Sequence, residues 1–236
     1  MAAVSSLYQV GLLSFGLNLA SVASLVLAEF NRAVLPRYSR EAFRAPTHET
    51  RAAVAWQLIA ALVVPAVVGC GVAVAGPWVF AEAYWPSFAL TGVLLIGQAG
   101  YGLYLIPMNY LTQTAGRPKY SALATGAGAV LILVSILVVG QRYGAIGVAF
   151  ATAAGYLTMA AVAMILAVVL KLDIAWSSWL GHWPDLVLGV AALLCSAAAL
   201  ASPVGSSLGR TFTGVCLALI VGAIILCARR IHPLRK

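Results

Sequence analysis

The chain has 236 residues, 63% of them hydrophobic and only 8% charged, with a mean hydropathy of +1.00. A soluble domain carries about 25% charged residues, so a water-facing globule is excluded and lipid must surround most of this chain. The net charge of +8 does not point to nucleic acid, because the basic residues sit in short loops between apolar runs and form no basic face.

A spanning helix needs about 20 apolar residues. Seven such runs follow one another, at about 6–30, 54–77, 87–112, 120–140, 144–170, 184–202 and 211–228. They are long and continuously apolar, whereas barrel strands alternate over about ten residues. The expected fold class is therefore all-α, a polytopic membrane protein of about seven transmembrane helices. The opening MAAVSSLYQV lacks a positive n-region, so a cleaved signal peptide is not expected.

In chain order, Glu29 closes the first run, with Asn31 and Arg32 just behind it. The plainest role for Glu29 is a local ion pair with Arg32, three residues on; a proton or cation site is the alternative. Gln57 opens the second run, and Pro65 lies inside it. The third run carries Gln98, Tyr101, Asn109 and Thr112, spaced with position 105 to share one helix face. Polar groups at membrane depth are costly, so this stripe should line a cavity or hydrogen-bond a neighbouring helix. Pro107 lies in the same run. Pro65 and Pro107 should kink their helices, as static bends or as bending points for transport.

Next comes the hinge 113-QTAGRPKYSA-122. Gly116 suits the left-handed position that ends a helix, and Pro118 the first turn of the next. Small residues four apart, Ser121-Thr125-Ala129 and Gly147-Ala151-Gly155, suggest close helix packing. After the fifth run, Trp176, Trp179 and Trp183 lie between Asp173 and Asp185 and read as an interfacial belt. The four cysteines (Cys70, Cys195, Cys216, Cys227) are scattered in apolar runs, with spacing that fits neither a metal site nor a disulfide framework. His48, His182 and His232 are far apart in sequence. No catalytic arrangement, metal site or cofactor motif is read from the chain, and an enzyme is not expected. The glycines of 97-GQAGYG-102 are mid-helix with no strand before them.

Sidedness follows from lysine and arginine. Alternate loops and the tail hold Arg32, Arg37, Arg40, Arg44, Arg51, Arg117, Lys119, Lys171, Arg229, Arg230, Arg235 and Lys236 on one side. The other side holds Arg142 and Arg210 alone. This puts the N-terminus outside and the C-terminus in the cytoplasm.

The order of motifs resembles a known family. A Pro-Arg follows a helix in 32-RAVLPRYSRE-41, and a Gly-Pro with an aromatic-acidic outer loop stands in 76-GPWVFAEAYWPS-87. A Gly-Arg-x-Lys hinge and a Gly-x-x-Gly in 140-GQRYGAIGVAFATAAGY-156 complete the succession. Over roughly residues 5–170 it is similar to the C-terminal half of polysaccharide flippases, within the multidrug/oligosaccharidyl-lipid/polysaccharide exporter superfamily. The resemblance implies a two-lobed bundle in the bacterial inner membrane that moves undecaprenyl-diphosphate-linked glycans outward by alternating access. Residues 1–170 would form part of one lobe, and 171–236 an additional helix pair with a basic tail. Family proteins begin in the cytoplasm with a first lobe, so the chain reads as a piece of a longer or split transporter whose partner lobe lies elsewhere. The implied substrate-binding residues are Arg32 and Arg37 at the cytoplasmic mouth, where guanidinium groups can hold phosphate oxygens. Gln98, Tyr101 and Asn109 would line the cavity. The two arginines also serve to set orientation. A drug or cation antiporter of the same superfamily and a non-transporting membrane scaffold are the alternatives.

Overall fold

The computed structural model describes residues 7–39 and 47–231. Within them there are eight α-helices and no strand: α1 (Leu7–Ser39), α2 (His48–Val79), α3 (Ser87–Asn109), α4 (Pro118–Ser135), α5 (Gln141–Val169), α6 (Trp176–Gly181), α7 (Trp183–Ala201) and α8 (Ser207–Ile231). Six helical runs are long and apolar enough to cross a membrane, as an all-α polytopic membrane protein requires.

One of the six, Pro118–Val169, has 52 residues. At 1.5 Å per residue it would be about 78 Å long, more than twice a bilayer core of about 30 Å. It folds back instead. Gly144 takes φ 59°, ψ −138°, a left-handed backbone that breaks the helix and that side-chain-bearing residues rarely adopt. The two arms then pack antiparallel. A Cβ on Gly155 would overlap Ile132 Cγ1, and one on Gly128 would lie 2.8 Å from the Gly155 carbonyl oxygen. The run thus supplies two spans, and the seven expected from sequence are recovered.

The ends of the helices depart from the hydropathy reading. α1 continues to Ser39 and α2 begins at His48, capped by the Thr47 hydroxyl accepting from the Thr50 N–H at 3.2 Å. Hydropathy misses these turns because they are helical but polar. Four prolines consequently lie inside helices: Pro36, Pro65, Pro77 and Pro107. Pro65 sits within a continuous α2, whereas Pro107 is followed by a π-helical turn at Tyr110–Thr114. The hinge is built as expected. Gly116 has φ 59°, the Arg117 N–H reaches back to the Leu111 carbonyl at 2.8 Å, and Pro118 starts α4.

α3 is the central helix, packed on α5, α1, α2 and α7. Its most apolar 18-residue stretch is 72% buried, against 11% for the corresponding stretch of the 118–169 run. The α7–α8 pair packs on α2 and closes the opposite flank. One end of the bundle gathers the start of α1, the α2–α3 loop and the Gly144 turn: Tyr8 Oη donates to the Ala83 carbonyl at 3.4 Å, and the Gln9 carboxamide sits against Gly144. The other end gathers the end of α1, the start of α2, the hinge and the 170–182 segment. There Val34, Tyr38, Val54, Ile106, Tyr110 and Ile174 form one buried cluster, and Ser178 Oγ donates to the Arg51 carbonyl at 3.1 Å. This second end carries Arg32, Arg37, Arg51, Arg117, Lys119 and Lys171. Arg40, Arg44, Arg235 and Lys236 lie outside the described residues.

Candidate functional site

The polar residues of the cation-rich half form two groups on neighbouring sides of α3. The first is a buried knot. Asn31 of α1 accepts at Oδ1 from Gln57 Nε2 at 2.8 Å and from Asn109 Nδ2 at 2.7 Å. Asn31 Nδ2 reaches Asn109 Oδ1 at 3.4 Å, and Tyr38 donates its hydroxyl to Gln57 Oε1. All four side chains are buried, Asn109 and Tyr38 fully. The edge of the Tyr38 ring meets Tyr110 at 5.1 Å between centroids. Three helices are therefore tied by amides that satisfy one another, which is how buried polar groups avoid an uncompensated desolvation cost.

The second group is aromatic and half-open. Tyr101 of α3 meets Tyr156 of α5 edge-on at 6.1 Å, and both rings are half-buried. One turn on, Tyr104 shares its hydroxyl with Ser121 Oγ at 2.8 Å and Thr125 Oγ1 at 3.0 Å, joining α3 to α4. Met108 and Thr112 continue the partly exposed edge of α3 from Tyr101. Leu27 of α1 packs in one cluster with Tyr101, Tyr104 and Tyr156, and Arg32 follows on the same helix. Arg32 is itself 73% exposed and bonded to Glu29 at 2.5 Å, the local pair expected from their spacing.

The sequence-predicted residues thus separate. Asn109 belongs to the knot and hydrogen-bonds a neighbouring helix. Gln98 is buried as well, and its Oε1 has no hydrogen-bond partner among the described residues. Tyr101 lies on the open aromatic face, and Arg32 stays exposed on α1. Arg37 is exposed further along α1. Tyr38 carried no sequence signal, because the first apolar run ends before it. Asn31 and Gln57 are visible in the sequence as polar residues near helix ends, but nothing there joins them to Asn109. The Ser121–Thr125 row, legible as small residues for packing, also supplies the two hydroxyls that hold Tyr104.

A cleft of about 580 Å³ opens at the cation-poor end, lined by Trp78, Ser202, Ser206, Arg210 and Thr213 among others. It is remote in the fold from the predicted residues. His182, Asp185 and Cys227, separate in sequence, meet at the cation-rich end of α7 and α8. No family model matches the chain, and neither does any curated protein or solved structure.

Proposed function

We propose that this multi-pass membrane protein is a transporter lobe for lipid-linked oligosaccharide. Its undecaprenyl-diphosphate-linked glycan would cross the bacterial inner membrane by alternating access against a facing lobe. The observation that carries the reading is the half-open Tyr101–Tyr156 face in the cation-rich half, against which α1 packs through Leu27 shortly before its exposed Arg32. A lipid diphosphate needs a cation at the mouth and an amphipathic wall for the sugars. Arg32 offers a planar fork for phosphate oxygens. Tyrosines offer apolar ring faces with a hydroxyl at the tip. Glu29 holds Arg32 in the absence of substrate, and an exposed pair of this kind is worth only about 0–1 kcal/mol, so a diphosphate can displace the carboxylate.

Two further features support a lobe rather than a complete transporter. α4 buries little of its apolar surface within the chain, with Ala124 and Gly128 its buried residues. The knot at Asn31, Gln57 and Asn109 rigidifies α1–α3 as a body that could rock as a unit. On this reading the N-terminus lies outside and the C-terminus in the cytoplasm.

Binding of an undecaprenyl-diphosphate sugar to the protein in nanodiscs tests the proposal by native mass spectrometry. Arg32→Ala should weaken it about tenfold, the worth of one charge-assisted contact, and Tyr101→Ala should weaken it with the helices intact. Equal binding of undecaprenol lacking the diphosphate would overturn the reading. Drug extrusion by cells expressing the chain would favour the antiporter.

A further inference from the structure

The turn between α6 and α7 carries His182, and Asp185 follows in the first turn of α7. Cys227 projects from the last turns of α8. His182 Nδ1 and Asp185 Oδ2 are 2.8 Å apart, and one ligand atom from each of the three residues lies within 4.8 Å of the others. All three are buried, Asp185 and Cys227 fully. In a chain with only six carboxylates and three histidines, one of each converges on a thiol below the surface.

We propose that His182, Asp185 and Cys227 bind a zinc-class divalent metal ion. An imidazole nitrogen, a carboxylate oxygen and a thiolate make the mixed donor set that zinc takes, with a fourth position left for water or a further donor. The charges match. One divalent ion enters as the Cys227 proton leaves to solvent and the proton between His182 Nδ1 and Asp185 Oδ2 passes to Nε2 of the same ring, which gives a neutral cluster of imidazole, carboxylate, thiolate and metal. Neutrality matters where a net buried charge would be heavily penalised. The geometry is close to what coordination needs. In a tetrahedron with bonds of about 2.0–2.1 Å, nitrogen and oxygen ligands stand about 3.3 Å apart. The His182–Asp185 separation need open by only about half an ångström, a small side-chain rotation. Cys227 must approach, and its single χ1 rotation suffices to move the sulfur. The bound ion would clip the end of α8 to the start of α7. It would lie next to α6, whose Trp179 indole nitrogen has no hydrogen-bond partner among the described residues.

The test uses the full chain without a histidine tag, in detergent or nanodiscs. Loaded with Zn²⁺ and freed of excess, it should retain one equivalent per chain. Loaded with Co²⁺, it should show thiolate-to-cobalt charge-transfer absorption. Cys227→Ser should abolish that absorption and His182→Ala should weaken binding about tenfold or more, while Cys70→Ala, whose thiol lies elsewhere in α2, should leave both unchanged. Absence of the charge-transfer band in the unsubstituted chain would overturn the proposal, whether or not the variants fold. So would a band that survives in Cys227→Ser.

Discussion

The amide knot and the tyrosine face are neighbours on α3, yet they solve opposite problems. In the knot, Asn109 is fully buried and its carboxamide is engaged by Asn31 from α1, which also takes the Gln57 donor from α2. On the tyrosine face, Tyr101 keeps part of its ring open and touches Tyr156 only edge-on. Both residues sit on the same polar stripe by spacing. Their difference shows that a polar residue at membrane depth marks either a joint or a surface, and that the neighbouring helix decides which.

Substitutions break or sharpen this contrast, and their expected effects fall in a clear order. Asn109→Ala should be the most damaging. It strips two hydrogen bonds from Asn31 and opens a cavity between α1 and α3, and should lower unfolding stability by about 2–3 kcal/mol, measurable by equilibrium unfolding in mixed micelles. Gln57→Leu removes the second donor to Asn31 and the acceptor for Tyr38, and a loss of about 1–2 kcal/mol should appear in the same assay. Gln98→Leu should act in the other direction. Replacing a buried oxygen that has no partner among the described residues with carbon should raise stability by about 1 kcal/mol. If stability falls instead, Gln98 has a role in packing that its hydrogen bonds do not reveal. Tyr104→Phe removes both interhelical hydroxyl contacts to α4, each of a kind worth about 0.6 kcal/mol, and should cost about 1 kcal/mol in the same assay. Glu29→Gln frees Arg32 with a stability change within about 0.5 kcal/mol, because the pair is exposed. On the proposed function the same change should tighten diphosphate binding, so a variant silent in unfolding becomes visible in binding.

The cluster at His182, Asp185 and Cys227 makes the same point from another side. His182 in the α6–α7 turn and Cys227 in α8 share no metal-ligand spacing, so no signal along the chain pairs them. Only the antiparallel packing of α7 on α8 brings the start of one to the end of the other. The Glu29–Arg32 pair is the contrasting case, because three residues along one helix suffice to predict it.

What the sequence by itself determined is whatever depends on local chemistry. Hydropathy dictated seven spans, because each apolar run must find lipid or a neighbour regardless of arrangement. The glycine and proline at the hinge dictated where α3 ends and α4 starts, because backbone freedom is a property of the residue. Helix ends escaped the hydropathy reading, since α1 and α2 extend through polar turns that need no membrane. Tertiary structure alone decided which side chains meet. It placed α3 at the centre, turned Asn109 inward to Asn31, left Tyr101 half-open against Tyr156, and gathered a histidine, an aspartate and a cysteine from the entry to α7 and the end of α8. The physical reason is that a helix fixes spacing along its own axis, while contacts between helices depend on rotation and register, which close packing selects only when the whole bundle is assembled.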